Sequence, residues 1–250
     1  MLKAILYDAK RWRDILGVTK TLLEEAEFKI SSEGMKLRAM DSSHVAMVDL
    51  DLPTAFFDKY ECNNTMELRI NVDNVLDLLD NMGPNESMEL NYSEEQARLV
   101  IHLRGTYERV FSVTTLAVEK EFEREPSVTF KVRAQVETAS LKKVIIDSLK
   151  IGDHIFIEAD TNIVTFRTAG LNGDVVSTLR KDEPPLSELS VSENSKANYS
   201  LELLGNIIKN ASQVSDVVQM EYSTSQVLRL GLVLPQGKLQ FYLSPMLEAS

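Results

Sequence analysis

Phe28-Lys29-Ile30, followed by Met35-Lys36-Leu37-Arg38-Ala39, recurs in outline as Ile155-Phe156-Ile157, followed by Val164-Thr165-Phe166-Arg167-Thr168. The first pair of segments is 127 residues apart and the second 129. Both alternate apolar and polar residues, the pattern of half-buried strands. Further out, Val72-Val75-Leu78-Leu79 answers to Leu201-Leu204-Ile207-Ile208, and Asn91-Tyr92-Ser93 to Glu221-Tyr222-Ser223. Identity is low, but the order of elements is kept. A duplicated α+β unit explains this better than two unrelated domains, and a solenoid would repeat over far shorter intervals.

A chain of 250 residues accommodates two domains of about 125 each, and 44% hydrophobic residues supply a core for both. No run approaches the ~18 apolar residues of a membrane helix. The start, Met1-Leu2-Lys3-Ala4-Ile5-Leu6-Tyr7-Asp8, is too short and too soon acidic for a signal peptide, so an intracellular protein without membrane contact is expected. The single cysteine, Cys62, excludes an internal disulfide framework and reads as a half-buried thiol before a loop.

Each half reads as helix, strands, helix, strands. Helical spacing from Ala9 to Thr21 puts Trp12, Ile15, Leu16 and Leu22 or Leu23 on one face, with Trp12 as a packing residue. Ala139 to Lys150 does the same with Leu141, Val144, Ile145 and Leu149. Shorter helices are predicted from Val72 to Asp80, ending at the Gly83-Pro84 breaker, and from Ser200 to Asn210. The remainder alternates like antiparallel strands.

The net charge of −11 argues against a generic DNA-coating protein. Yet the first helix holds Lys10, Arg11, Arg13 and Lys20 against Asp14, and the third holds Lys142, Lys143 and Lys150 against Asp147. The second carries only Asp73, Asp77 and Asp80, and the fourth balances Glu202 with Lys209. Basic residues gathered on equivalent helices of an acidic body suggest a positively lined concavity, although solvated helix faces would look the same.

Strand alternation in Val45-Ala46-Met47-Val48-Asp49-Leu50-Asp51-Leu52 puts Ala46, Val48, Leu50 and Leu52 inward and leaves Val45, Met47, Asp49 and Asp51 on the opposite face. Likewise Leu239, Phe241 and Leu243 face inward, turning Tyr242 outward beside Ser244. The outward apolar groups form a partner pocket if they adjoin, or are covered by a loop of the same chain. Such a loop, Thr114 to Ser127, separates the halves; lacking glycine, it is no flexible tether and is expected to lie on the protein with Phe122 or Val128 docked.

Ala39-Met40-Asp41-Ser42-Ser43-His44-Val45, Leu50-Asp51-Leu52-Pro53 with Phe57-Asp58-Lys59-Tyr60-Glu61, and Gly237-Lys238-Leu239-Gln240-Phe241-Tyr242-Leu243-Ser244-Pro245 closely resemble the DNA sliding clamp family, proliferating cell nuclear antigen. The stretch from Leu52 to Glu61 and Ser195-Lys196-Ala197-Asn198-Tyr199 resemble its archaeal branch. The resemblance runs from end to end. It implies an α+β DNA-clamp fold of two pseudo-repeated domains, residues 1–114 and 128–250 joined by a connecting loop at 115–127. Each domain would have antiparallel sheets and two helices, and three chains would close into a ring around duplex DNA.

The same resemblance places Lys10, Arg11, Arg13, Lys20, Lys142, Lys143, Lys150 and Lys209 on the inner wall, where flexible cations meet phosphates without reading bases. It implies a pocket for short partner peptides at Met40, His44, Val45, Met47, Phe122, Pro126, Val128, Tyr242, Pro245 and Leu247. The peptides would belong to replicative polymerase, clamp loader, flap endonuclease and ligase. Subunits would join through Tyr107, Arg109, Val110, Phe111 and Val113 against Val175, Val176 and Leu179, as a homotrimer or with unlike partner subunits. No cofactor or metal is implied. The second helix departs from the family pattern in carrying aspartates instead of lysines, and no proline stands near Gln226.

An enzyme is disfavoured. There is no phosphate loop, dinucleotide fingerprint, HExxH or CxxC, and His44, His102 and His154 are isolated. Asp49 and Asp51 are expected to be the solvent face of a strand rather than a metal pair. A checkpoint-type clamp with other clients is the alternative within the same fold.

Overall fold

The computed structural model describes residues 1–118, 124, 126–171 and 173–246. The first half runs β1 (Leu2–Leu6), α1 (Lys10–Thr19), β2 (Glu25–Ser31), β3 (Gly34–Met40), β4 (Ala46–Pro53), β5 (Lys59–Cys62), β6 (Met66–Asn71), α2 (Val72–Leu79), β7 (Ser87–Ser93), β8 (Arg98–Arg104) and β9 (Glu108–Thr114). The second runs β10 (Val132–Glu137), α3 (Thr138–Leu149), β11 (His154–Ala159), β12 (Ile163–Gly170), β13 (Gly173–Arg180), β14 (Leu186–Val191), β15 (Ser195–Ser200), α4 (Leu201–Ala211), β16 (Val217–Tyr222), β17 (Leu228–Leu232) and β18 (Lys238–Leu243). This is an α+β architecture in which every named pairing is antiparallel.

Two compact units emerge. The first comprises residues 1–42, 48–125 and 234–238; the second comprises 43–47, 126–233 and 239–250. In the first, a sheet of order β5-β1-β7-β8-β9 accompanies the run β4-β3-β2-β6; in the second, β13-β12-β11-β15 accompanies β14-β10-β16-β17-β18. Alternation builds both: β1 and β10 bury every second residue, as do β8 and β11.

The helices close over these sheets with equivalent apolar faces. Trp12, Ile15 and Leu16 are buried on α1, and Trp12 stacks on Phe28 of β2 with ring centroids 5.5 Å apart. Leu141 and Ile145 do the same for α3. The Asn71 side chain accepts from Asn74 N at 2.9 Å to start α2, and Ser200 accepts from Leu203 N at 3.4 Å to start α4. Two of the four helices are shorter than their sequence spacing predicts, and α3 starts and ends one residue earlier than expected. Of the two, α2 stops at Leu79, before the Gly83-Pro84 breaker, and α1 stops at Thr19, whose hydroxyl bonds back to Leu16 O at 2.9 Å. The last helix, α4, keeps its length and is displaced by one residue the other way.

One turn demands glycine. Gly34 has φ 138°, and a Cβ there would run into the Leu52 carbonyl.

Two corrections concern polarity. Asp49 lies not on a solvent face but at 2% exposure, because the residues of β4 from Ala46 to Leu50 are all buried and the strand has no wet side there. Its carboxylate is held by Arg38 and Lys238. Leu149, placed with the core of α3 by its spacing, is instead 45% exposed, and Val144 is half-buried.

Candidate nucleic-acid interface

In the first unit, α1 packs on α2, and the charged side chains of the pair meet one another. Asp14 accepts from Arg13 at 2.9 Å and stands 3.9 Å from Lys10 Nζ. The Arg11 guanidinium lies 4.4 Å over the Phe56 ring. Lys20 bonds to Asp73 across the helix pair, and this bond holds its pKa above the ordinary lysine value against a desolvation cost; the charges of Asp73, Asp77 and Asp80 add to it. The four cations are thus matched in number by Asp14, Asp73, Asp77 and Asp80 across the two helices, with Lys10, Arg13 and Lys20 paired and Arg11 resting on an aromatic ring instead.

The second unit differs. Lys142 Nζ donates to Lys209 O at 2.9 Å, satisfying a carbonyl in the last turn of α4. Lys150 pairs with Asp147 at 2.8 Å. Among the described residues no carboxylate lies within ion-pair distance of Lys142, Lys143 or Lys209. Between α3 and α4 runs a groove of about 420 Å³ floored by Ile145, Ile146, Leu149, Gly205 and Ile208 and rimmed by Lys142, Lys209 and Glu202. Sequence spacing missed this groove, because Leu149 reads as core; the signal was Gly205, which leaves α3 without a facing side chain.

Residues expected in the peptide pocket divide. Met47 and Tyr242 are buried at 2% and 3% exposure, whereas His44 and Val45 are exposed and Pro126, Val128 and Pro245 half-buried. All of these belong to the second unit, and Met40 belongs to the first. Phe122 and Leu247 fall outside the described residues. The C-terminal segment is fixed beside Val45 because Ser244 N donates to Val45 O, and Met246 N to Asn198 O, both at 2.8 Å. Met246, which the motif reading passed over, is exposed on this same anchored segment.

Behind Tyr242 stands a buried charge cluster. Glu221, 1% exposed, receives Arg133 Nε at 2.7 Å and Arg229 Nε at 2.6 Å. Arg229 also lies 4.6 Å over Phe130. Burial works against the Arg229 charge, but bonds to Glu221 and Tyr242 outweigh it and hold its pKa above the ordinary value.

Of the expected joining strands, β9 ends the five-stranded sheet and β13 ends the four-stranded one. No residue of β9 is fully buried, and Tyr107, Val110 and Val176 are 62%, 59% and 45% exposed. Phe111, Val113 and Val175 are half-buried; Leu179 is 7% exposed and packs inward. Arg109 is committed to its own unit, bonding to buried Glu86 and donating to Asn81 O at 3.2 Å.

Among the described residues no group of three His, Cys, Asp or Glu could hold a metal, and no helix is long and apolar enough to cross a membrane.

Comparison with known proteins adds independent findings. The family described as proliferating cell nuclear antigen, N-terminal domain, matches residues 1–121. The DNA polymerase sliding clamp of Thermococcus sibiricus is 30% identical over 98% of both chains, and that of Nitrosopumilus maritimus is 28% identical over 94% of both. The crystal structure of PCNA from Thermococcus kodakaraensis superposes with a TM-score of 0.93 at 22% identity, covering 98% of this chain and 100% of that one. PCNA from Entamoeba histolytica superposes at 0.92 with 21% identity, covering 98% and 99%.

Proposed function

Since the chain belongs to the DNA polymerase sliding clamp family, we propose that it is a non-enzymatic processivity factor that encircles duplex DNA and tethers replication and repair enzymes to it. The observation that carries this reading is the full-length match to clamps of the same duplicated architecture. Three chains would close head to tail through β9 of one and β13 of the next, pairing those two edge strands. Polymerase, clamp loader, flap endonuclease and ligase would dock short peptides beside Val45, Tyr242 and Pro245. ATP would be consumed by the loader, and the clamp itself would work wherever the cell keeps its DNA.

A topological tether has a signature that adhesion lacks. Loaded onto nicked circular DNA by a clamp loader, the protein should co-elute with the circle through a salt wash and be lost when the circle is cut. Equal loss from both forms would sink the encircling reading. Light scattering supplies the assembly: subunits of 28.2 kDa should give about 85 kDa as a closed trimer. A single-subunit or two-subunit mass would mean that unlike partner chains complete the ring or that the ring reading is wrong.

A further inference from the structure

We infer that this chain grips the DNA backbone with the α3–α4 face of its second unit, while the α1–α2 face of its first unit, where Lys10, Arg13 and Lys20 are paired with aspartates and Arg11 alone is not, contributes little. The inference rests on the clamp reading and assigns unequal roles to its two repeats.

The two helix pairs can be compared position by position, because Trp12 corresponds to Leu141, Leu16 to Ile145, Val72 to Leu201 and Leu79 to Ile208, all buried at a constant offset of 129. On this alignment Asp14 stands where the second unit has Lys143, and Asp80 where it has Lys209. Asp77 corresponds to Asn206 and Lys20 to Leu149. Each of the three aspartate exchanges makes the second unit less acidic. Phosphates approaching α1–α2 must first separate Lys20 from Asp73 and Arg13 from Asp14, and then lie near Asp77 and Asp80. At α3–α4 they meet Lys142, Lys143 and Lys209, none committed to a carboxylate. The N-cap Glu137 bonds to Ser140 at 2.5 Å and leaves the pair net positive, whereas Asp8 before α1 makes the other pair more acidic.

Shape agrees with charge. Leu76 occupies the position of Gly205, so the first unit has a side chain where the second has the open, apolar groove rimmed by Lys142, Lys209 and one carboxylate, Glu202. The occupant we assign to that groove is the deoxyribose-phosphate strand. Lysines on the rim neutralise phosphates, and the Ile146–Leu149 floor meets sugar carbons without hydrogen-bonding to any base. Such binding is independent of sequence and tolerates sliding.

The test compares two triple variants of the full-length protein on a duplex of about 30 base pairs, read by fluorescence anisotropy from about 20 to about 200 mM salt. Lys142→Ala/Lys143→Ala/Lys209→Ala should lower affinity at least tenfold at low salt and flatten the log–log salt slope by about one for each phosphate no longer neutralised. Lys10→Ala/Arg13→Ala/Lys20→Ala should lower it no more than about twofold, and Asp73→Asn/Asp77→Asn should raise it. Equal losses from the two triples overturn the asymmetry while leaving the clamp reading intact. A parent protein that neither binds duplex nor stays on closed circles overturns both.

Discussion

Lys238 Nζ stands 2.6 Å from Asp49 Oδ2 inside the first unit, with the aspartate side chain 3% exposed. The lysine approaches as a charge rather than along a hydrogen-bond direction, while Arg38 Nε and Nη2 both reach Oδ1 at 3.0 Å. A carboxylate this deep is stable only while its cations remain. Asp49→Ala should lower unfolding free energy by about 3 kcal/mol, because it leaves the mostly buried Arg38 without its carboxylate while Lys238, 36% exposed, can turn to solvent. Asp51→Ala removes the half-exposed pair with Lys36 and should cost under about 1 kcal/mol. Urea unfolding of both variants checks the contrast; similar small costs would show that the buried pair contributes little.

Assembly should depend on exposed apolar residues of the two edge strands. Val110→Glu places a carboxylate on a side chain 59% exposed in the isolated chain. Thermal unfolding should move by no more than a few degrees, while light scattering should fall from the about 85 kDa expected of the proposed trimer toward the 28.2 kDa of one subunit. An unchanged mass would exclude β9 from the joint.

Partner capture calls for a probe other than Tyr242. At 3% exposure, its truncation to alanine would carve a hole in the second unit and confound binding with stability. Val45→Glu changes a residue 38% exposed next to the anchored C-terminal segment. It should weaken a synthetic helical peptide bearing two aromatic anchors at least tenfold in calorimetry, with the subunit mass unchanged. Undiminished affinity would move the pocket elsewhere.

Acid should act partly through Glu89. A hydrogen bond from Asn91 holds its carboxyl below the ordinary value of 4.5; burial opposes this, and bonds from Arg104 and Lys3 add to the lowering. A depressed folded-state pKa means that its stabilisation is complete above the unfolded value and is lost as pH falls through the folded one. Glu89→Gln should therefore lower stability by about 0.5–1 kcal/mol at about pH 7, with the gap from the parent closing below the ordinary carboxylate range. A gap that stays constant from neutral pH down through that range would assign the loss to packing instead.

Much of this was legible in the chain. Duplication follows from strand periodicity at Phe28–Ala39 and Ile155–Thr168, since period-two patterns survive sequence divergence as long as one face stays buried. Trp12, Leu16 and Ile145 were readable for the same reason at helical period. Asp49 was not, because alternation assumes one wet face and β4 has none there; its cations come from β3 and from Lys238, far along the sequence. The exposure of Leu149 was hidden as well, since it depends on what the facing helix lacks at Gly205 rather than on α3 itself. Charge balance on α1 and α2 could be counted from sequence, whereas the Lys20–Asp73 bond that neutralises it needed coordinates.

The two edge strands of the proposed joint, β9 and β13, are unlike in sequence, so in that joint each chain would have a head and a tail. Every subunit added through such a joint would consume one head and expose another, and the count would stop only where the turn per subunit brings the last tail back to the first head. Subunit number is thus written in an angle, and joint strength decides only how long the circle lasts. A chain blocked at its head by Val110→Glu and one blocked at its tail by Val176→Glu would each be sterile alone. Mixed, they would retain one sound joint between them and halt as a pair of about 56 kDa, the smallest unit in which the polarity of the assembly can be weighed.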